Sequence, residues 1–183
     1  MNTTISPVFF KDMETEGYLD SLKTRMKASL GDDSEYLLGY PALYIHVWRS
    51  KKDYQEGKYS IYIGETNDII QRTNEHWAVA RNPKSKGEKG AWQYHMVEDV
   101  DESNKKVVPM VFFIGHKFFH KSHTLDIENR LTDYCYAMPT ANVYNGRPNP
   151  QGRYAGEEYL DDLFSKIWRR LRKEIPDLFL PET

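Results

Sequence analysis

The chain has 183 residues, a length that fits one folded domain. Its composition, 39% hydrophobic and 28% charged, excludes an intrinsically disordered protein. No apolar run reaches the roughly 18 residues that a membrane helix needs. The net charge of −2 excludes a protein that holds nucleic acid by overall charge alone. Cys135 is the one cysteine and the start lacks a signal-peptide pattern, which together predict a cytoplasmic protein.

The first forty residues are predicted to form an N-terminal arm with one short helix. Tyr18, Leu19, Leu22 and Met26 recur at helical spacing within this segment. We therefore place the start of the folded core near residue 41.

Two strands with alternating side chains follow the arm. ALYIHVWRS places aliphatic residues on one face and Tyr44 on the other, and YSIYIG does the same with Tyr62. The polar segment KKDYQEGK between them is predicted to be a long hairpin loop. Pairing of the two strands would place both phenols on one surface.

A helix is predicted after the second strand. Asn67 or Asp68 can cap it, and it runs through IIQRTNEHWAVAR, where Arg72 and His76 project from the same face. A basic loop, RNPKSKGEKG, follows. Five basic residues are candidate nucleic-acid contacts, with an ordinary solvated face as the alternative: Arg81, Lys84, Lys86, Lys89 and Lys121.

The second half of the chain adds at least one strand and two helices. AWQYHMV is a weaker strand candidate and VVPMVFFIG a stronger one, with Pro109 indicating an edge or early position. TLDIENRLTDYCYA is predicted to be a helix with Glu128 on an apolar face, and PTANVYNGRPNPQG a turn-rich segment. EEYLDDLFSKIWRRLRKE is an amphipathic helix whose stripe is expected to pack on the core.

Five polar residues on these elements suit phosphodiester hydrolysis. That reaction needs a group to activate water, cations for the developing negative charge, and a carboxylate for a hard divalent ion. Tyr44, Tyr62, Arg72, His76 and Glu128 supply these types. Each also has a simpler interpretation: packing tyrosines, an exposed helix surface, and a glutamate in an ordinary salt bridge.

The order of these residues resembles the GIY-YIG endonuclease superfamily over residues 42–145. ALY, YIGETNDIIQRTNEH, LDIENRLTDY and PTANV stand where that family has its two strand motifs, its first helix, its metal-binding helix and a structural asparagine. The first motif departs from the family in reading ALY, with Ala in place of Gly.

The resemblance implies an α/β fold with a small three-stranded, mainly antiparallel sheet flanked by helices. The nuclease core would span residues 41–150, preceded by the arm at 1–40 and followed by a helical extension at 151–183 packed on the core. It also implies a nucleic-acid substrate, with DNA favoured over RNA. KSHTLDIE and the end helix resemble one bacterial subgroup, which implies a fused or associated helicase-like ATPase.

Carried over by position, the resemblance also implies roles. Tyr44 would activate or orient water, Tyr62 would contact the nucleophile or phosphate, and Arg72 would neutralise phosphate charge. His76 would assist proton transfer or hold phosphate, and Glu128 would bind one Mg²⁺ or Mn²⁺ in a single-metal scheme. Gly64 would let the chain turn close to the substrate, and Asn142, with Asn145 as a rival, would fix local geometry.

Three alternatives accompany this interpretation. His116, His120 and His123 have a spacing that could gather zinc, although no thiolate or HExxH pattern accompanies them. Asp126 could act with Glu128, but two residues apart on a helix point to different sides. A catalytically inactive nucleic-acid-binding or protein-interaction module on the same fold is the competing functional class.

Overall fold

The computed structural model describes residues 6–14, 18–81, 91–98, 109–146 and 157–181. These residues form one mixed five-stranded sheet flanked by helices. The strands are β1 (Val8–Met13), β2 (Ala42–Trp48), β3 (Tyr59–Thr66), β4 (Met110–Gly115) and β5 (Ala141–Val143). The α-helices are α1 (Leu22–Leu30), α2 (Glu35–Leu38), α3 (Lys51–Glu56), α4 (Ile69–Arg81), α5 (Trp92–Glu98), α6 (Lys121–Ala137) and α7 (Glu157–Glu174).

The sheet has the strand order β1-β4-β2-β3-β5. Its central strand, β2, pairs antiparallel with β3 and β4, as the predicted hairpin required. The prediction of three strands was wrong, because β1 adds antiparallel to β4 at one edge and β5 adds parallel to β3 at the other. β1 lies in the segment predicted to be an arm, and β5 has only three residues, too few for a periodic pattern.

The two faces of the sheet carry separate cores, as the alternation of β2 predicted. Leu43, Ile45 and Val47 pack with α6 and α7. The apolar stripe of α7 lies wholly within this core and consists of Leu160, Leu163, Phe164, Ile167, Trp168 and Leu171. Tyr44 and Trp48 face the opposite core, with residues of α1, α4 and α5. Because both faces are covered, β2 is buried along its whole length.

Two helices stand where the sequence indicated other structure. The segment after β2 is helix α3 rather than a loop, because Ser50 and Asp53 form a reciprocal capping box and Gly57, at φ 68°, ends the helix. AWQYHMV is helix α5 rather than a strand. Its Trp92 and Met96, four residues apart, both face the core, so tertiary packing overrides the strand-favouring composition.

Candidate active site

Tyr44 lies at the centre of the candidate site, on the face of β2 that packs against α4. Its ring is only 3% exposed, and its hydroxyl lies 2.9 Å from Nε2 of His76. Asp68 caps α4 by accepting a hydrogen bond of 3.0 Å from the Gln71 backbone, as predicted. The cap fixes the start of the helix that presents Arg72 and His76 toward β2.

Gly64 faces Tyr44 directly across the β2–β3 pair. A Cβ at Gly64 would lie 2.2 Å from both Cζ and the hydroxyl oxygen of Tyr44, far inside van der Waals contact. Its φ is not in the left-handed region, where, among the described glycines, only Gly31 and Gly57 lie. The expectation that Gly64 makes a turn is therefore wrong: it sits inside β3 and leaves room for the phenol.

Tyr62 lies beside Tyr44 on the same surface. The two rings are stacked with centroids 6.4 Å apart. Tyr62 also stacks on Trp92 of α5, with centroids 4.2 Å apart and an angle of 12° between the planes. Burial raises the pKa of the Tyr62 phenol, so it stays protonated at neutral pH. The hairpin thus brings both phenols together, and α5 holds the second one in place.

Arg72 lies at the exposed edge of this pair. Its guanidinium contacts Glu75 of the same helix at 3.0 Å, and the side chain is 43% exposed. Burial raises the pKa of the Tyr44 phenol, while the nearby Arg72 guanidinium acts in the opposite direction on Tyr44 and Tyr62. The cation is therefore close to both phenols and still accessible to an anion from solvent.

Glu128, on α6, is the acidic candidate. Its negative charge acts to raise the pKa values of Tyr44 and Tyr62. Burial, followed by the neighbouring carboxylate of Glu65, raises the pKa of Glu128 itself to about 7. Among the described residues its carboxylate has neither an ion pair nor a hydrogen bond, so the salt-bridge interpretation finds no partner there.

A contact between β3 and the start of α6 positions Glu128. Glu65 accepts hydrogen bonds from Lys121 at 2.7 Å and from the Thr124 hydroxyl at 3.1 Å. Glu65 follows Gly64 immediately in β3, so this contact ties α6 to the strand that carries Tyr62. Lys121 was predicted as a nucleic-acid contact, but the structure pairs it with Glu65.

His76 is buried between Tyr44 and α5. Burial, followed by the neighbouring His46 and Arg72, lowers its pKa from 6.5 to about 2, so the imidazole is neutral near pH 7. It is only 2% exposed, and Gln93 of α5 approaches its second ring nitrogen, Nδ1, at 3.0 Å. A neutral ring cannot hold phosphate by charge, and the role of His76 in proton transfer or phosphate contact stays a prediction.

Of the two candidates for the structural asparagine, Asn145 is the one that holds β3. Its side chain accepts a hydrogen bond from the Ile63 backbone at 3.0 Å and donates one to the Ile63 carbonyl at 2.6 Å. Asn142 is exposed on β5, opposite Ser60. Asn145, and not Asn142, therefore ties the segment after β5 to the strand of Tyr62.

A buried pair beneath the site was missed. Nδ1 of His46 lies 2.5 Å from Oε1 of Glu14, and both side chains are at most 1% exposed. The His46 ring also contacts Tyr44 and Trp92, with centroids 5.5 and 4.8 Å apart. Alternation in β2 did place His46 on the Tyr44 face, but nothing local pointed to Glu14, which lies 32 residues away.

The structure brings none of the remaining described candidates to the site. The side chain of Arg81 and all of Lys84, Lys86 and Lys89 fall outside the described residues. His116, His120 and His123 form no metal-ligand group, and within the described part of the chain no cluster of three or more such side chains exists. Asp126 pairs with Arg130 at 2.6 Å, in agreement with its exclusion.

The residues present fit a hard divalent cation with few protein ligands. Glu128 offers carboxylate oxygens without a cationic partner among the described residues, and the nearby charge of Glu65 opposes its ionisation. A divalent cation would relieve that repulsion. Mg²⁺ suits such a place because it keeps several waters and takes one or two carboxylates.

Comparison of the chain with protein-family models, with curated proteins and with solved structures gave no match. A search of the described helices found no segment with the length and apolar character to cross a membrane. The findings on this chain therefore come from its own residues: an α/β fold with a mixed sheet, in which β2 and β3 carry the two phenols, α4 carries Arg72 and α6 carries Glu128.

Proposed function

We propose that this chain is a metal-dependent endonuclease of the GIY-YIG type, which hydrolyses phosphodiester bonds of nucleic acid, with DNA as the substrate. One observation carries the proposal. Tyr44 and Tyr62 stack with ring centroids 6.4 Å apart, and the charges of Arg72 and Glu128, from two further elements, act on the pKa values of both phenols. Simple packing would not require an exposed guanidinium, and a carboxylate without an ion pair among the described residues, to act on the same two phenols.

Arg72 is the group that receives the phosphate. Its planar fork matches phosphate oxygens, and its side chain is 43% exposed while the guanidinium interacts with Glu75 and Tyr44. A phosphate bound there would lie next to the Tyr44 and Tyr62 hydroxyls. The positive charge of Arg72 also offsets the negative charge that develops on the phosphoryl group.

Tyr44 orients the attacking water. It can accept a proton from that water only when its own hydroxyl is deprotonated to the phenolate. In the resting protein, burial keeps the phenol protonated, so the surroundings of Tyr44 must gain positive charge before it can act as a base. Arg72 supplies part of that charge. A Mg²⁺ or Mn²⁺ ion held by Glu128 and waters would supply more, together with polarisation of the phosphate.

Tyr62 and His76 support these groups. Tyr62 can donate its hydroxyl proton to a phosphate oxygen, because its ring is fixed between Tyr44 and Trp92. His76 is neutral, so we assign it a hydrogen bond to Tyr44 and not a phosphate-binding charge. We further propose that a helicase-like ATPase, fused or associated, supplies the substrate in the cell.

A nuclease assay with varied nucleic acids and Mg²⁺ or Mn²⁺ tests the proposal. We expect Arg72→Ala to reduce cutting by about 10²–10³-fold, the usual cost of removing a group that stabilises transition-state charge. Glu128→Ala should abolish cutting and the calorimetric signal of Mn²⁺ binding. Glu56→Ala and Arg169→Ala, at exposed positions of α3 and α7, are matched controls that should cut normally. Full activity of Glu128→Ala would refute the assignment.

A nucleic-acid-binding module without catalysis is the second candidate. The deep burial of Tyr44, with its raised pKa, favours it, because water has little access to that hydroxyl. The same assay separates the two functions. A binding module would retain DNA in a gel-shift experiment at every metal concentration and cut none of the substrates.

A further inference from the structure

Helix α5 contacts the candidate site at a point outside every motif discussed above. Trp92 stacks on Tyr62, and the next residue, Gln93, reaches His76. Gln93 is partly buried, and its amide nitrogen lies 3.0 Å from Nδ1 of His76. The other ring nitrogen, Nε2, lies 2.9 Å from the hydroxyl oxygen of Tyr44. His76 therefore bridges Gln93 and Tyr44 with both nitrogens engaged.

We infer that Gln93 is a positioning residue that fixes His76 as the Nε2–H tautomer, so that the imidazole donates its hydrogen bond to Tyr44. An amide nitrogen carries only donors, so Nδ1 facing it must accept. A neutral imidazole has one donor and one acceptor nitrogen, which leaves Nε2 as the donor. The interior position of His76, 2% exposed, keeps the ring neutral.

This assignment determines what Tyr44 can do, a consequence that rests on the proposed nuclease function. A hydrogen bond from Nε2–H of His76 occupies one lone pair of the Tyr44 oxygen. The hydroxyl proton of Tyr44 must then point away from His76. His76 then stabilises a Tyr44 phenolate by donation and does not take the phenol proton. Had the opposite tautomer been fixed, His76 would accept the proton of Tyr44 and hold the phenol in a donor role.

The other amide atom of Gln93 also bears on the assignment. Oε1 is buried and has no hydrogen-bond partner among the described residues. Rotating the Gln93 amide by 180° would place its Oε1 against Nδ1 of His76. The amide NH₂ group of Gln93 would then lose the histidine as its hydrogen-bond acceptor. One orphaned acceptor is the smaller loss, since a carbonyl tolerates an unfilled lone pair better than an NH₂ group tolerates two unused donors.

Nitrogen NMR of the resting protein tests the inference directly. In a long-range ¹H–¹⁵N spectrum, protonated and unprotonated ring nitrogens of a neutral histidine resonate far apart, so the tautomer of each ring can be identified. The His76 signals are assigned as those lost in His76→Gln. We expect Nε2 to be protonated and Nδ1 unprotonated. A protonated Nδ1 with a bare Nε2 would overturn the inference.

Variants at Gln93 provide the second arm. Gln93→Glu puts a carboxylate against Nδ1 and should move the proton to that nitrogen. Gln93→Met removes the donor and should give both tautomers. Gln55→Glu, the same change at an exposed position of α3, should leave the His76 signals unchanged. A wild-type tautomer retained in both Gln93 variants would show that Gln93 does not control it.

The spectrum needs neither substrate nor metal, so its outcome is independent of the nuclease assay. An inactive protein with protonated Nε2 would refute the proposed function and leave the role of Gln93 intact. An active protein with protonated Nδ1 would refute the role of Gln93 and leave the proposed function intact. In an active protein, Gln93→Glu should lower kcat at least tenfold with KM unchanged, because His76 no longer donates to Tyr44.

Discussion

Gly64 and Tyr44 face each other across the β2–β3 pair so closely that a single added carbon would overlap the phenol. The built Cβ lies 2.2 Å from the Tyr44 hydroxyl oxygen. Tyr44 cannot rotate away freely, because it is buried among residues of α4 and α5. The glycine is therefore a condition for the position of the candidate catalytic phenol.

Gly64→Ala should consequently displace Tyr44 and destabilise the protein. Overpacking of this kind costs about 1–3 kcal/mol in the free energy of unfolding, which urea denaturation would measure. We also expect loss of the proposed cutting activity. Gly146→Ala is the matched control, because a Cβ there meets nothing within 4 Å. Equal stability and activity of the two variants would contradict the packing argument.

The ionisation of Glu128 should govern metal binding near neutral pH. Its pKa of about 7 means that the cation must displace a proton below that pH. We expect the affinity for Mn²⁺, measured by calorimetry, to fall roughly tenfold per pH unit below about 7 and to level off above it. An affinity that stays constant between pH 5 and 8 would exclude Glu128 as the ligand that titrates.

Glu65 should tune that ionisation. Glu65→Gln removes the like charge that raises the pKa of Glu128 and frees Lys121 from its ion pair, and both changes favour the carboxylate. The pH midpoint of Mn²⁺ binding should therefore shift to lower pH than in the wild type. Glu56→Gln, on exposed α3, should leave the midpoint in place. An upward shift in Glu65→Gln would refute the electrostatic coupling.

His76 should make the protein sensitive to acid. A pKa lowered from 6.5 to about 2 gives stability that is fully present above pH 6.5 and is lost as the pH falls, because the unfolded chain takes up the proton. Between pH 6.5 and 4.5, the wild type should lose about 1.4 kcal/mol per pH unit more than His76→Gln. Urea unfolding at several pH values measures the difference.

The control for this comparison is His120→Gln, which removes an exposed histidine. That variant should follow the pH dependence of the wild type more closely than His76→Gln does. If His76→Gln and the wild type show parallel stability curves, the imidazole does not stay neutral in the folded state.

Regular hydrophobic spacing made much of the fold predictable. The alternation in β2 and β3 and the helical stripes of α4, α6 and α7 follow directly from the sequence, and the structure has them. α5 was missed because Trp, Tyr and Val favour strands, while its helical state depends on packing against α4. β1 was missed because its strand state depends on pairing with β4, about 100 residues later in the chain.

The candidate site also contains residues that the sequence could predict and residues that it could not. Tyr44, Tyr62, Arg72 and Glu128 could be named because strand alternation, helix spacing and a family resemblance all pointed to them. Glu65 and Gln93 could not, because each gains its role only when a distant element approaches it. The neutral state of His76 was equally hidden, since it follows from burial and not from residue type.

The pair of Glu14 and His46 has a consequence for any shortened version of the chain. The carboxylate enters the interior from Glu14, directly after the end of β1, and it meets an imidazole that no solvent reaches. A minimal fragment that begins at residue 41, the start of the predicted core, would leave that imidazole without its carboxylate partner and expose the edge of β4. The predicted arm is thus part of the packing that supports Tyr44 through His46.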